Sequence, residues 1–203
     1  LGLILTEMTA VSETGRITLG CTGIYNENQI VEWKRINDFI HKNTQTKVGI
    51  QLGHSGRKGA TKKPWETEDL QNKWELLSAS PIPFNENFSI PKEMNLEDMD
   101  LITSQFVQAT KNADKAGFDM IELQAHHGFL LASFLSPLTN IRKDDFGGSI
   151  ENRLKFPLRV FNKMRNAFPK EKPMSVRISA TDWAENGVSE EDVLTIATAF
   201  KNA

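Results

Sequence analysis

The chain has 203 residues, enough for one domain with a real hydrophobic core, and its apolar (39%) and charged (25%) fractions are those of ordinary globular proteins. Twenty-four Lys and Arg against 26 Asp and Glu leave a formal charge of -2, so no basic excess is available to grip nucleic acid or an anionic membrane surface. A single cysteine, Cys21, excludes an internal disulfide framework and fits a reducing, cytoplasmic setting; no apolar run reaches the roughly 18 residues of a membrane span, and no leader pattern is visible.

Leu1-Gly2-Leu3-Ile4-Leu5 is a short continuous apolar run, which predicts a strand buried on both faces of a parallel sheet. Ser12-Glu13-Thr14-Gly15-Arg16 is turn chemistry. Ile30, Trp33, Ile36, Phe39 and Ile40 then recur at helical spacing, ending near Asn43. Val48 to Leu52 predicts the second strand. Residues 53–95 read as a long loop with Pro64, Pro81, Pro83 and Pro91, and a loop of that length in a compact domain is usually functional. Asn95, with Asp98 three residues on, starts a helix through Met99, Ile102, Phe106 and Ala109 that Gly117 ends. Phe118 to Leu123 predicts the third strand. A second loop, Gln124 to Gly148, leads to a helix from Ser149 to Phe168, with Pro157 expected to kink it. Met174 to Ser179 predicts the fourth strand, and Ser189 with Asp192 caps a last helix.

The alternation of strand and helix predicts an α/β fold with a parallel sheet. No G-x-G-x-x-G and no P-loop occurs at a strand-to-helix turn. The polar, histidine-bearing segments all follow strand C-terminal ends, where a (β/α)8 TIM barrel carries its active site. Four such units are half a barrel. The chain opens without Met inside an apolar run and closes at Ala203 in a helical pattern, so 1–203 is expected to be a single partial barrel domain, about strands 2 to 5 with their helices, truncated at both ends.

Gln51 ends a strand beside His54, Arg57 and Lys58; its carboxamide suits the edge of a planar heterocycle such as flavin or nucleobase, or equally the capping of loop carbonyls. Gln124-Ala125-His126-His127-Gly128-Phe129 follows the third strand. Gln124 and His126 share a side if the strand continues, whereas a turn at Ala125 brings Gln124 and His127 together. Adjacent histidines without a third ligand at metal spacing are a weak zinc signal, so no metal is expected; imidazole and carboxamide N–H groups suit a substrate oxygen better. Arg177 interrupts an apolar strand. Buried there it needs a partner, either an electron-rich ligand or one of the carboxylates Glu7 and Glu122. Cys21 has only Arg16 as a nearby cation and reads as a structural thiol, and the Trp65–Trp74 stretch as a lid or a packed satellite.

Gly49-Ile50-Gln51-Leu52-Gly53-His54-Ser55-Gly56-Arg57-Lys58, Ala79-Ser80-Pro81, Ala116 to Glu122, His127 to Leu131, Phe134 to Asn140 and Phe146 to Arg153 together resemble the old yellow enzyme family, the NADH:flavin oxidoreductases, over the whole chain. The thermophilic-like ene-reductase branch is most similar. Within it, Thr6 to Thr9, Cys21, Trp33 to Ile36 and Lys172 to Ala180 look most like the reductase half of bifunctional salicylyl-CoA 5-hydroxylase/oxidoreductase proteins.

The resemblance implies an FMN barrel in which NAD(P)H supplies hydride for an activated alkene, an enone or an enoyl-CoA thioester. It implies that Met8, Gln51 and Arg177 contact the flavin and that His127 and Gln124 hold the substrate oxygen. Two positions depart from the pattern: Gln124 stands where relatives have histidine, and Phe129 where they have a proton-donating tyrosine, so another acid or water must protonate the product. The resemblance also implies that a preceding strand and the phosphate-site strands lie outside residues 1–203. The segment alone is then expected to bind FMN weakly or not at all, and the full-length parent, as a monomer or a homo-oligomer, is the unit expected to act on a small molecule. The alternatives are the FMN half of a fused aryl-CoA monooxygenase and a degenerate barrel kept for binding.

Overall fold

The computed structural model describes residues 1–68, 70–71 and 73–203; Asp69 and Asn72, within the Trp65–Trp74 stretch, lie outside the described residues. In chain order the elements are β1 (Leu3–Ala10), α1 (Glu27–Asn43), β2 (Lys47–Gly53), a 3-10 turn at Gly56–Lys58, β3 (Leu77–Ser78), β4 (Lys92–Glu93), α2 (Leu96–Lys115), β5 (Met120–Ala125), α3 (Leu130–Leu135), α4 (Ile150–Ala167), β6 (Met174–Ile178) and α5 (Glu190–Asn202). β1, β2, β5 and β6 pair in that order, all parallel, and β3 with β4 forms a separate two-residue parallel ladder. Strand order that follows chain order without reversal is single winding. This is how a barrel grows, and a doubly wound sheet would reverse at a switch point.

The two faces of the sheet differ because strand side chains alternate. Val48, Ile50 and Leu52 of β2 and Ile121, Leu123 and Ala125 of β5 are fully buried in a core with Met99, Ile102 and Phe106 of α2 and Phe156, Val160 and Met164 of α4. The opposite face carries Gln51, Gly53, Glu122, Gln124, Ser175 and Arg177, and it is the polar interior of the barrel sector.

Helix starts follow side-chain chemistry. Asn26 with Gln29, Asn95 with Asp98 and Ser189 with Asp192 each make a reciprocal capping box, and Ser149 caps α4. Gly117, at φ +83°, takes the left-handed conformation that ends α2. α4 runs uninterrupted through Pro157, which is buried. Among the described residues no helix is long and apolar enough to cross a membrane.

Four expectations are corrected. The first strand begins at Leu3 and runs to Ala10, taking in the polar Thr6, Glu7 and Thr9, and within residues 1–203 Leu1, Leu3 and Ile4 are exposed. In α1 Phe39 is exposed and the buried positions are Ile30 and Asn37, whose amide Nδ2 donates to the Ala116 carbonyl at 2.9 Å. The third strand starts at Met120 and includes Gln124 and Ala125, so Gln124 belongs to the sheet. Inside the supposed loop 124–148 lies α3, whose six residues are all buried.

Candidate functional site

Register aligns the interior side chains in two rows. In the lower row Gln51 lies opposite Glu122 and Glu122 opposite Ser175. Gln51 Nε2 donates to Glu122 Oε1 at 2.6 Å, and Ser175 Oγ lies 3.4 Å from Glu122 Oε2. In the upper row Gln124 lies opposite Arg177, and Gln124 Nε2 donates down to Gln51 Oε1 at 3.2 Å. Glu122 thus fixes which end of the Gln51 amide is donor and which acceptor, and Gln51 does the same for Gln124.

Gly53 makes the upper row possible. A Cβ there would stand 2.3 Å from Gln124 Oε1 and 3.0 Å from Met8 Cγ, so no other residue leaves room for both side chains. Met8 is paired across the sheet with Gln51. Three expected cofactor contacts, Met8, Gln51 and Arg177, therefore share the interior face with Gln124.

Two polar groups on this face stay unspent. Gln124 Oε1 is buried without a hydrogen-bond partner among the described residues. Arg177 is exposed rather than buried and makes no ion pair among the described residues; Glu122 is occupied by Gln51 and Ser175, and Glu7 is exposed. The expected choice between a carboxylate and a ligand leaves the ligand side open.

The loops after β2 and β5 interlock above the strands. The His54 carbonyl accepts the Leu130 N–H at 3.1 Å, and His54 Nδ1 accepts the Gly56 N–H at 3.0 Å. Gly56 has φ +57°, and a Cβ there would meet Leu130 Cα at 2.8 Å. Lys58 Nζ donates to the His127 carbonyl at 2.5 Å while lying over the Phe84 ring. His127 itself is left-handed (φ +57°), with its N–H on Ser179 Oγ at 3.0 Å.

This turn sends His127 out of the strand. It lines a cavity of about 830 Å³ with Arg57, Lys58, Phe84, His126 and Arg177. Gln124 does not line that cavity, so the structure puts His127 with Arg177 and puts Gln124 with Gln51. Burial, then the charges of His127 and Arg177, push the His126 imidazole down to about 4, and burial alone holds His54 at about 4. Both are neutral near pH 7. Burial and the neighbouring Arg57 also lower Lys58.

Several residues that sequence reading had not singled out hold this frame. Arg142 Nη1 donates to the carbonyls of Ala79 and Met94, both at 2.9 Å, and its other nitrogens grip Asp144. Asn140 Nδ2 bridges the Phe134 and Phe146 carbonyls, and Arg153 reaches the Leu135 carbonyl and Asp192. Asp182 accepts from Ser136 Oγ at 2.7 Å and Val188 N at 2.9 Å, anchoring the loop that carries the left-handed, exposed Trp183 to the cavity mouth. A buried arginine must be paired, and that is the signal that could have found Arg142 in its loop and Arg153 in the first turn of α4. Cys21 Sγ accepts from Thr18 N at 3.3 Å within its own turn.

The interior face suits a flavin. The pyrimidine edge of an isoalloxazine alternates N–H and carbonyl groups, and the face offers an unpaired carboxamide oxygen, a free guanidinium and a shelf without a Cβ at Gly53.

Comparison with known proteins agrees. The model of the NADH:flavin oxidoreductase / NADH oxidase family matches residues 1–203. An NADH:flavin oxidoreductase of Gibberella zeae is 39% identical over 199 residues, which are 94% of this chain and 48% of that protein. An NADPH dehydrogenase of Listeria monocytogenes is 37% identical over 200 residues, 98% of this chain and 55% of that protein. The structure of old yellow enzyme from Pichia sp. superimposes with a TM-score of 0.75 at 28% identity, over 87% of this chain and 46% of that one. The chain thus spans about half the length of the curated relatives it matches.

Proposed function

The chain belongs to the NADH:flavin oxidoreductase / NADH oxidase family, and from that premise we propose that residues 1–203 form one sector of an FMN-binding (β/α)8 barrel that uses NAD(P)H to reduce activated C=C bonds of small molecules, enones or enoyl-CoA thioesters. The observation that carries this reading is the interior cluster of Gln51, Gln124 and Arg177, which leaves one acceptor and one cation unpaired beside the Gly53 shelf.

Met8, Gln51, Gln124 and Arg177 are the residues that would hold FMN, which when bound would supply two-electron hydride chemistry between NAD(P)H and the alkene. The protein's own residues bind and orient. The Arg177 guanidinium would favour negative charge on a bound flavin. Gln51, locked by Glu122, and Gln124, locked by Gln51, would offer it fixed polar atoms, and Met8 lies beside Gly53. His127, held out of the strand by Lys58 and Ser179, gives a ring N–H to the substrate carbonyl. Phe129 can transfer no proton, so the α-carbon takes its proton from solvent or from another acid.

The test is the visible spectrum of the full-length protein, followed by anaerobic NADH or NADPH. Flavin bands that bleach establish the reading. A colourless protein that takes up no added FMN refutes it and leaves a barrel without redox function.

A further inference from the structure

The cavity is lined by three cations and one carboxylate, in a chain whose formal charge is -2. The carboxylate, Asp182, already accepts from Ser136 Oγ and Val188 N. The cations are Arg57, Lys58 and Arg177, and none makes an ion pair among the described residues. Arg57 is 9% exposed. Its Nη1 donates to the carbonyls of Ile82 and Pro83, whereas among the described residues Nε is buried without a partner and Nη2 makes no hydrogen bond. Lys58 gives one of its three N–H groups to the His127 carbonyl, and the Phe84 and Phe129 rings, 4.1 and 5.5 Å from Nζ, hold the ammonium in place. Both cations border one bare spot. A Cβ on the left-handed Gly128 would stand 3.5 Å from Lys58 Nζ and 4.0 Å from Arg57 Nη2. Burial lowers both cations, and Arg57 lowers Lys58 further. Two like charges set side by side in a half-buried wall are unfavourable until an anion joins them.

We propose that Arg57 and Lys58 form an anion subsite in the substrate cavity, so that the alkene reduced here carries an oxyanion, a carboxylate or a phosphate, apart from its activating carbonyl. The proposal rests on the proposed function and names its substrate class. The subsite is ordered in advance: two loop carbonyls clamp Arg57, and a carbonyl and two rings hold Lys58, so little side-chain freedom is lost when a ligand arrives. The free N–H groups of a guanidinium and an ammonium are the donors that an oxyanion takes up in charge-assisted hydrogen bonds. Arg177, which lines the same cavity, adds to a positive field that a concave wall concentrates. A neutral enone leaves this charge uncompensated, whereas an anionic one supplies the charge that the protein's own carboxylates do not.

The experiment titrates the full-length protein, without NAD(P)H so that nothing turns over, with two matched pairs of probes in a calorimeter. One pair is trans-4-oxo-2-pentenoate and its methyl ester; the other is crotonyl-CoA and crotonyl-pantetheine, which lacks the phosphates. The quantity read is the affinity ratio within a pair, so any change in the seating of His127 cancels. The unaltered protein is expected to favour the charged member of at least one pair by about tenfold or more at low salt, the range for hydrogen bonds to charged groups, and to lose that preference as salt rises. The pair that discriminates tells carboxylate from phosphate. Lys58→Met keeps the stem against Phe84 and removes the charge, and the ratio is expected to fall about tenfold; Lys58→Arg is expected to keep most of it. Equal affinity within both pairs, or a ratio that Lys58→Met leaves unchanged, overturns the proposal even where NADPH bleaches the flavin. Absence of flavin refutes the function instead, and the same titrations still decide whether the anion subsite exists.

Discussion

His54 ties stability to pH through a single hydrogen bond. Its Nδ1 accepts the Gly56 N–H at 3.0 Å, so its proton sits on Nε2, and the ring is 3% exposed. Protonation below the folded value of about 4 would turn Nδ1 into a second N–H facing the first and release the turn that carries Arg57 and Lys58. The unfolded chain, with its histidine at the ordinary 6.5, takes up the proton sooner. Stability from this group is therefore intact above 6.5 and is lost as the pH falls toward 4. A depression from 6.5 to about 4 costs about 1.8 kcal/mol between pH 7 and pH 5 by proton linkage. Urea unfolding followed by tryptophan fluorescence at both pH values measures it, with His54→Asn as the reference because Asn keeps an acceptor and does not titrate. Carboxylates and His126 titrate in both proteins and cancel in the difference. The native protein should lose about 1.8 kcal/mol more than the variant on acidification. An equal loss in the two refutes the argument that burial keeps His54 neutral.

Other substitutions separate frame from site. Gly56→Ala places a Cβ against Leu130 Cα on a left-handed backbone, and should cost about 2–3 kcal/mol in the same urea assay. Arg142→Met leaves two buried carbonyls and Asp144 without their donor and should cost about 3 kcal/mol, with Arg142→Lys recovering only part of it because Lys lacks the fork. Arg177→Met removes an exposed, unpaired side chain; stability should stay within about 0.5 kcal/mol, while FMN affinity of the full-length protein, read by fluorescence quenching, should fall at least about tenfold. Lost stability with unchanged flavin affinity would make Arg177 a structural residue.

What was legible in the sequence was whatever follows from periodicity or capping. β2 and β5 show because only one face of each meets helices, giving Val48-Gly49-Ile50-Gln51-Leu52 and Ile121-Glu122-Leu123-Gln124 their alternation. Asn95 and Ser189 announce their helices through reciprocal hydrogen bonds that need only the right residue three places on. The apolar run Leu1–Leu5 announced the first strand but not its extent, because Thr6, Glu7 and Thr9 continue the same ladder without apolar side chains. α3 was invisible for the opposite reason: Leu130 to Leu135 are buried all round and show no polar face to set a period. Arg177 was read as buried from its apolar neighbours, but in a strand those neighbours point the other way, and the arginine stands on the polar interior face with Ser175 and Gln124.

The long motifs and the chemistry divide along the same physical line. Ser80 accepts the Ile141 N–H, Ser133 accepts the Ala79 N–H, and Arg142, Asn140 and Arg153 gather backbone carbonyls from four segments, so these motifs chiefly satisfy loop backbone that no helix or strand can satisfy. Loops fixed in this way present a small number of side chains to the cavity without spending them. Arg177 and His126 remain there, and among the described residues the buried oxygen of Gln124 stays unbonded on the sheet beside Gln51, because the scaffold's polar needs are met elsewhere. Buried polar atoms left unbonded among the described residues are the costly feature of this structure, and under the proposed function a bound ligand would recover that cost.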